Sequence, residues 1–263
     1  MASIFDFSGR TVFVAGGTSG INLGIAEAFA LCGARLAVAS RNPERVKTAV
    51  SAIGRHGGEV LGEVADVRDY QAIERALGSA HDRFGEIDVL VSGAAGNFPA
   101  PALGLSANGF KVVVDIDLIG TFNVARAAHQ FLKKPGASII NISAPQSFNP
   151  MPLQIHACAA KAGLDQVMRV LAMEWGADGI RVNSISPGPI EGTEGFRRLS
   201  GASAQAEAAL IERIPLGRVG TLADVADLAL FLASPYASYI SGALIPVDGG
   251  WSLYGTGIGP AKG

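Results

Sequence analysis

Residues 16–24 read Gly-Gly-Thr-Ser-Gly-Ile-Asn-Leu-Gly, between the apolar run Thr11–Ala15 and the mostly apolar stretch Gly20–Leu31. A strand that passes through small residues into a helix lets backbone N–H groups approach a pyrophosphate. The helix N-terminus adds a favourable field for the anion. Gly16, Thr18, Ser19, Gly20 and Ile21 are therefore the candidate cradle. A glycine-rich turn alone is common; its place between strand and helix points to a dinucleotide. After the next apolar run, Arg35–Ala39, come Ser40 and Arg41. Sites for NAD usually carry an acidic residue there to bind the ribose hydroxyls. A hydroxyl beside a guanidinium suits a 2′-phosphate instead, because arginine makes charge-assisted, often bidentate bonds to phosphate. NADP(H) is thus expected rather than NAD(H). Asp66 and Val67, after the third run, stand where an adenine would lie, although Asp66 reads equally as a helix cap.

These residues need a frame. Strands are expected at Thr11–Ala15, Arg35–Ala39, Glu59–Ala65, Asp88–Ser92, Ala137–Ile142, Arg181–Ser186 and Ala243–Val247. Helices are expected at Gly20–Leu31, Pro43–Arg55, Tyr70–Arg83, Asn108–Lys133, Gln154–Gly176 and Leu222–Ala233. Near-continuous apolar strands alternating with helices imply a sheet covered on both faces. The fold class is α/β: a Rossmann-type, doubly wound parallel sheet of about seven strands with helices on both faces. One domain spanning 1–263 accommodates it. The Gly-, Ala-, Glu- and Arg-rich stretch 191–215 breaks the alternation and is the candidate substrate lid. Ser143, Gln146 and Ser147 follow the fifth strand, at the end where open α/β sheets bind ligands.

Composition narrows the partners. With 21 basic and 23 acidic residues the net charge is −2, and no basic stripe suggests nucleic acid. No apolar run reaches membrane-span length, and the N-terminus lacks signal-peptide features. The two cysteines, Cys32 and Cys158, form no CxxC pair; both read as small buried fillers in helices, and no metal site is expected. A cytoplasmic, reducing location follows as the expectation.

Further segments are Ser92-Gly93-Ala94-Ala95, Arg181-Val182-Asn183, Pro187-Gly188-Pro189-Ile190 with Thr193, and Val247-Asp248-Gly249-Gly250. With the glycine turn, they make the chain resemble the classical short-chain dehydrogenase/reductase family over almost its whole length. By that resemblance Ala94, Pro187, Gly188, Ile190 and Thr193 border the cofactor. The family's three turn glycines fall on Gly16, Gly20 and Asn22, so the third is missing. Its Asn-Asn-Ala-Gly segment falls on 92–95. Its Tyr-xxx-Lys pair places both side chains on one helix face; Lys161 is present, but Ala157 takes the tyrosine position. Ala144 takes the serine position, with Ser143 beside it, and Asp117 takes the asparagine position. Reduction of a carbonyl to an alcohol requires a donor at the carbonyl oxygen, and alanine has none.

Ala94-Ala95-Gly96-Asn97-Phe98, Asp115-Ile116-Asp117, His156-Ala157 before Lys161, and Gly192-Thr193-Glu194-Gly195 resemble the 2,4-dienoyl-CoA reductase branch in its peroxisomal form. The chain ends Pro-Ala-Lys-Gly rather than in the Ser-Lys-Leu address, in keeping with the cytoplasmic expectation. Hydride addition to the far carbon of a dienoyl thioester gives a dienolate, which needs an electrophilic site for its oxygen and a proton for carbon. The resemblance implies that Asp117, through a water, supplies the proton, which calls for an apolar pocket favouring its protonated form. Lys161 would hold the nicotinamide ribose. Arg68 and Arg197 are the candidates for the phosphates of coenzyme A. Phe98, Ser106 and Asn108 would border the acyl and pantetheine path. His156 and Ser143 would line the substrate pocket. Alternatives are a carbonyl or imine reductase with a substitute acid, and an inactive NADP-binding sensor. The family's habit and the long apolar helices imply a homotetramer or homodimer.

Overall fold

The computed structural model describes residues 4–200 and 203–254, the side chains of 198–200 and 254 excepted. Its strands are β1 (Thr11–Ala15), β2 (Arg35–Ser40), β3 (Val60–Val64), β4 (Val89–Ser92), β5 (Ser138–Ile142), β6 (Arg181–Pro187) and β7 (Leu244–Val247). They form one parallel sheet in the order β3-β2-β1-β4-β5-β6-β7. The helices are α1 (Gly20–Leu31), α2 (Pro43–Gly54), α3 (Tyr70–Phe84), α4 (Ala107–Val114), α5 (Gly120–Ala128), α6 (Ile155–Glu174), α7 (Glu194–Ser200), α8 (Ala204–Ile211) and α9 (Leu222–Ala233).

The central strands are buried along their whole length, as expected when helices cover both faces of a parallel sheet. One core, built around Ile25, Phe29, Val14 and Leu230, lies beneath α1 and α9. The other, built around Phe13, Ile73, Leu90 and Val124, lies beneath α3 and α5. Strand order reverses between β1 and β4, which opens a crevice beyond their carboxyl ends. Gly24 is explained by packing: a Cβ there would sit 3.0 Å from Leu222 Cβ on α9.

Three expectations change. Asn108–Lys133 is not a regular α-helix throughout, and the helical run ends at Ala128. A π turn, Asp115–Ile119, separates α4 from α5, and the Gly120 N–H bonds back to the Asp115 carbonyl. Gly120 permits this close approach, because a Cβ there would lie 2.6 Å from Val67 Cγ2. Such single-turn widenings insert one residue into the helical register and are frequent at functional sites. Second, the stretch 191–215 carries helices α7 and α8; residues 201–202 of it lie outside the described residues. Third, Cys158 is only partly buried, whereas Cys32 is buried; neither is in a disulfide.

Helix α9 starts with a capping box: Thr221 and Asp224 each accept from the other's backbone N–H. Arg218 grips Asp224 through two bonds of 2.8 Å. That guanidinium, with the Thr221 donors, holds the Asp224 carboxyl far below the usual carboxylate range. Thr221→Ala should cost about 1 kcal/mol, seen as a lower urea midpoint at unchanged slope. A carboxyl with a depressed folded pKa stabilises above its unfolded pKa, and that contribution fades as pH falls through the acid range. The stability gap between the wild type and Asp224→Asn should therefore narrow as the pH drops from neutral toward about 3.

Candidate active site

Two adjoining cavities occupy the crevice. The first, of about 210 Å³, is lined by Gly16, Thr18, Ser19, Ser40, Arg41, Asp66, Val67 and Ala94. Gly16 has φ +80°, and a Cβ on it would meet Ala94 N and Cα at 2.8 Å, so the turn closes only with glycine. Gly20, with φ +54°, opens α1 beneath Thr193. The Ser19 side chain makes no cap bond, which leaves the N-terminal N–H groups of α1 for a ligand. Sequence reasoning missed Arg45, which reaches the same cavity from the first turn of α2, where Asn42 caps its N–H at 3.0 Å. Its signal was its place four residues after Arg41. A hydroxyl, two guanidiniums and a glycine turn with free helix donors fit a dinucleotide carrying an extra phosphate.

Asp66 is tied to Arg68, whose guanidinium donates to both carboxylate oxygens at 2.6–3.1 Å. That pairing lowers the Asp66 pKa and raises that of Arg68. The cap of α3 is Asp69, not Asp66. Arg68 is thus already engaged at the adenine end of the crevice.

The second cavity, of about 260 Å³, brings together Ile21, Asp117, Ser143, Lys161, Pro187, Gly188 and Thr193. Ala144 and Ala157 line it too, so both positions lacking a hydroxyl face the same space. Ile190 is buried, and its carbonyl accepts the Thr193 hydroxyl at 2.7 Å. Asp117 comes from the π turn and is 1% exposed. One of its oxygens accepts the Gly96 N–H at 2.7 Å; the other faces Lys161 Nζ at 3.4 Å. Lys161 in turn donates to the Ile142 carbonyl at 2.8 Å. The cavity wall is mostly apolar, with Ile21, Ala95, Ile142, Ala144, Ala157 and Phe196 on it. Within it the two oxygens of Asp117 are met by polar groups, the Gly96 N–H on one side and Lys161 Nζ on the other.

The remaining predicted residues divide. Ser143 is buried and donates to Asp165 at 2.8 Å. Asp165 was missed, although it lies one turn beyond Lys161 on α6. His156 is fully buried, edge-on to Phe98 at 4.6 Å between ring centroids. Neither of its ring nitrogens has a partner among the described residues, and it lies behind Ala157 rather than on the cavity surface. Ser106 caps α4 through the Gly109 N–H at 3.0 Å, and Asn108 is exposed on the same turn; neither lines the cavity. Arg197 is exposed and pairs with Glu194 at 2.7 Å on α7. Gln146, expected at the ligand end of the fifth strand, lies on the cavity rim with Asn97, and both donate to Gln154 at 2.8 Å. Among the described residues no group of acids, histidines and cysteines could hold a metal.

Glycine turn, crevice and buried lysine define a class, and the comparisons agree. A family model described as enoyl-(acyl carrier protein) reductase matches residues 15–252, and the chain belongs to the short-chain dehydrogenase/reductase family. It is 45% identical over 253 residues to the peroxisomal 2,4-dienoyl-CoA reductase, (3E)-enoyl-CoA-producing, of Rattus norvegicus, covering 95% of this chain and 86% of that one. It is 40% identical to a probable 2,4-dienoyl-CoA reductase of Bacillus subtilis, covering 92% and 96%. A crystal structure of a short-chain dehydrogenase from Bacillus anthracis superposes with a TM-score of 0.83 at 37% identity, covering 92% and 96%.

Removing one member of a buried ion pair strands the other's charge. Lys161→Met should therefore lower stability by about 3 kcal/mol or more. Lys161→Met combined with Asp117→Leu should recover part of that loss in urea titrations.

Proposed function

We propose that this protein is an NADPH-dependent reductase of 2,4-dienoyl-CoA thioesters. The observation that carries the reading is the second cavity: Asp117 and Lys161 form a buried pair while Ala144 and Ala157 supply no hydroxyl. A site without a donor for a carbonyl oxygen suits the conjugated carbon–carbon system better than a ketone. Its likeness to named 2,4-dienoyl-CoA reductases supports the substrate class. The cofactor would supply a hydride, held by Gly16, Thr18, Ser19, Gly20 and Ile21 at the pyrophosphate and by Ser40, Arg41 and Arg45 at the 2′-phosphate. Val67 and Ala94 would flank the adenosine half, and Pro187, Gly188, Ile190 and Thr193 the nicotinamide half.

Asp117 gives its carboxyl proton to a bound water as that water passes one of its own to the dienolate carbon, and solvent reprotonates Asp117 after product leaves. Lys161 holds the nicotinamide ribose and offsets the developing negative charge. Ser143 borders the thioester, Phe98 the acyl chain, and His156 supports Phe98 from below. Ser106, Asn108 and Arg197 lie outward of the cavity, on the side open to the phosphates and pantetheine arm of coenzyme A. Arg68 reaches coenzyme A only by leaving Asp66. The stretch 191–215 acts as the substrate lid in this reading, supported by Thr193, Gly195 and Phe196 on the cavity wall.

The protein works in the cytoplasm as a homotetramer or homodimer in this reading. Exposed Phe110, Ile119, Phe122, Val170 and Met173 on α4–α6 and the π turn support self-association. No helix among the described residues is long and apolar enough to cross a membrane.

NADPH oxidation with 2,4-hexadienoyl-CoA, and none with simple ketones, is the expected result; NADPH binding without turnover of either would overturn the reading. Asp117→Ala should lower kcat by about a hundredfold or more with little change in KM. Arg41→Ala should weaken NADPH about tenfold or more and leave NADH unchanged, read from cofactor titrations.

A further inference from the structure

Two departures from the family pattern are coupled in space. Asn22 stands at the third glycine of the turn, and Gly93 stands at the second asparagine of the segment after β4. Asn22, in the first turn of α1, crosses to that segment. Its side-chain N–H₂ donates to the Gly93 carbonyl at 2.7 Å and to the Gly16 carbonyl at 3.3 Å. A Cβ on Gly93 would lie 2.1 Å from Asn22 Oδ1 and 2.5 Å from its Cγ and Nδ2. No side chain fits at 93 while Asn22 occupies this space. The amide orientation is also determined, because the opposite one would face oxygen against two carbonyl oxygens. Both residues line the first cavity, together with Ser40 and Arg41.

We infer that the asparagine amide has changed sides in this chain, and that Asn22 is a positioning residue for the dinucleotide. One amide on α1 does the joining that a side chain at position 93 would otherwise do from β4. It ties the glycine turn to the end of β4, so the two walls of the crevice keep the separation the cofactor requires. It also satisfies two carbonyls at the crevice edge. Gly16, whose missing Cβ lets it lie against Ala94, completes the joint. The inference concerns cofactor binding and is independent of the thioester substrate.

The test compares the wild type, Asn22→Gly, Gly93→Asn and the double exchange by NADPH fluorescence titration, with heat stability measured without cofactor. Each single variant should bind NADPH about tenfold or more weakly, and the double exchange should regain most of that loss. Asn22→Gly binding NADPH like the wild type while melting lower would reduce the amide to a purely structural role and overturn the inference. A double exchange no better than Asn22→Gly would overturn it as well. If Gly93→Asn does not fold, the comparison of Asn22→Gly with the double exchange still decides.

Discussion

The site depends on one buried ion pair. Lys161 on α6 and Asp117 on the π turn face each other at 3.4 Å, both almost wholly withdrawn from solvent. Burying either charge alone would be prohibitive, so each fixes the other's place. The Ile142 carbonyl and the Gly96 N–H complete the set, tying the pair to the ends of β5 and β4. Four segments of chain thus converge on two side chains. The cavity between them is shaped as much by what is absent, hydroxyls at 144 and 157, as by what is present.

The π turn makes that convergence possible. An uninterrupted helix over α4 and α5 would carry a different residue to the cavity. The extra residue in the turn, with Thr121 bonded back to the Asp117 carbonyl at 2.8 Å, aims Asp117 inward. Gly120 permits it because Val67 packs against its Cα. The neighbourhood of Val67 therefore serves both cavities, closing the adenosine side of one and supporting the acid of the other.

The crevice has a similar economy. Its cations are reached from β2 and the first turn of α2, its phosphate donors from the turn before α1, and its width from Asn22 against Gly93. An acid that might have competed for the ribose, Asp66, is neutralised by Arg68 two residues away. With Ser40, Arg41 and Arg45 on the same cavity, the surface there carries a hydroxyl and two guanidiniums, which favours an added phosphate.

Much of this was legible in the residues alone. Apolar runs marked all seven strands to within a residue or two, because the central strands are buried on both faces and read as near-continuous apolar runs. The glycine turn, Ser40, Arg41 and Lys161 were readable because their chemistry is local or their spacing is helical. Asp117 was readable as a position but not as an environment. Its partners, Gly96 and Lys161, are far away in sequence, so only the folded chain shows that they meet its two oxygens within an otherwise apolar wall. The π turn escaped for a related reason: it changes register without changing periodicity enough to be seen. Arg45, Asp165 and the Asn22–Gly93 exchange likewise required the tertiary structure. Each is defined by a distance between elements, and single-sequence patterns carry no distances. The sequence by itself determined the fold class, the cofactor and the missing tyrosine; the tertiary packing decided which charges meet and how the crevice is held open.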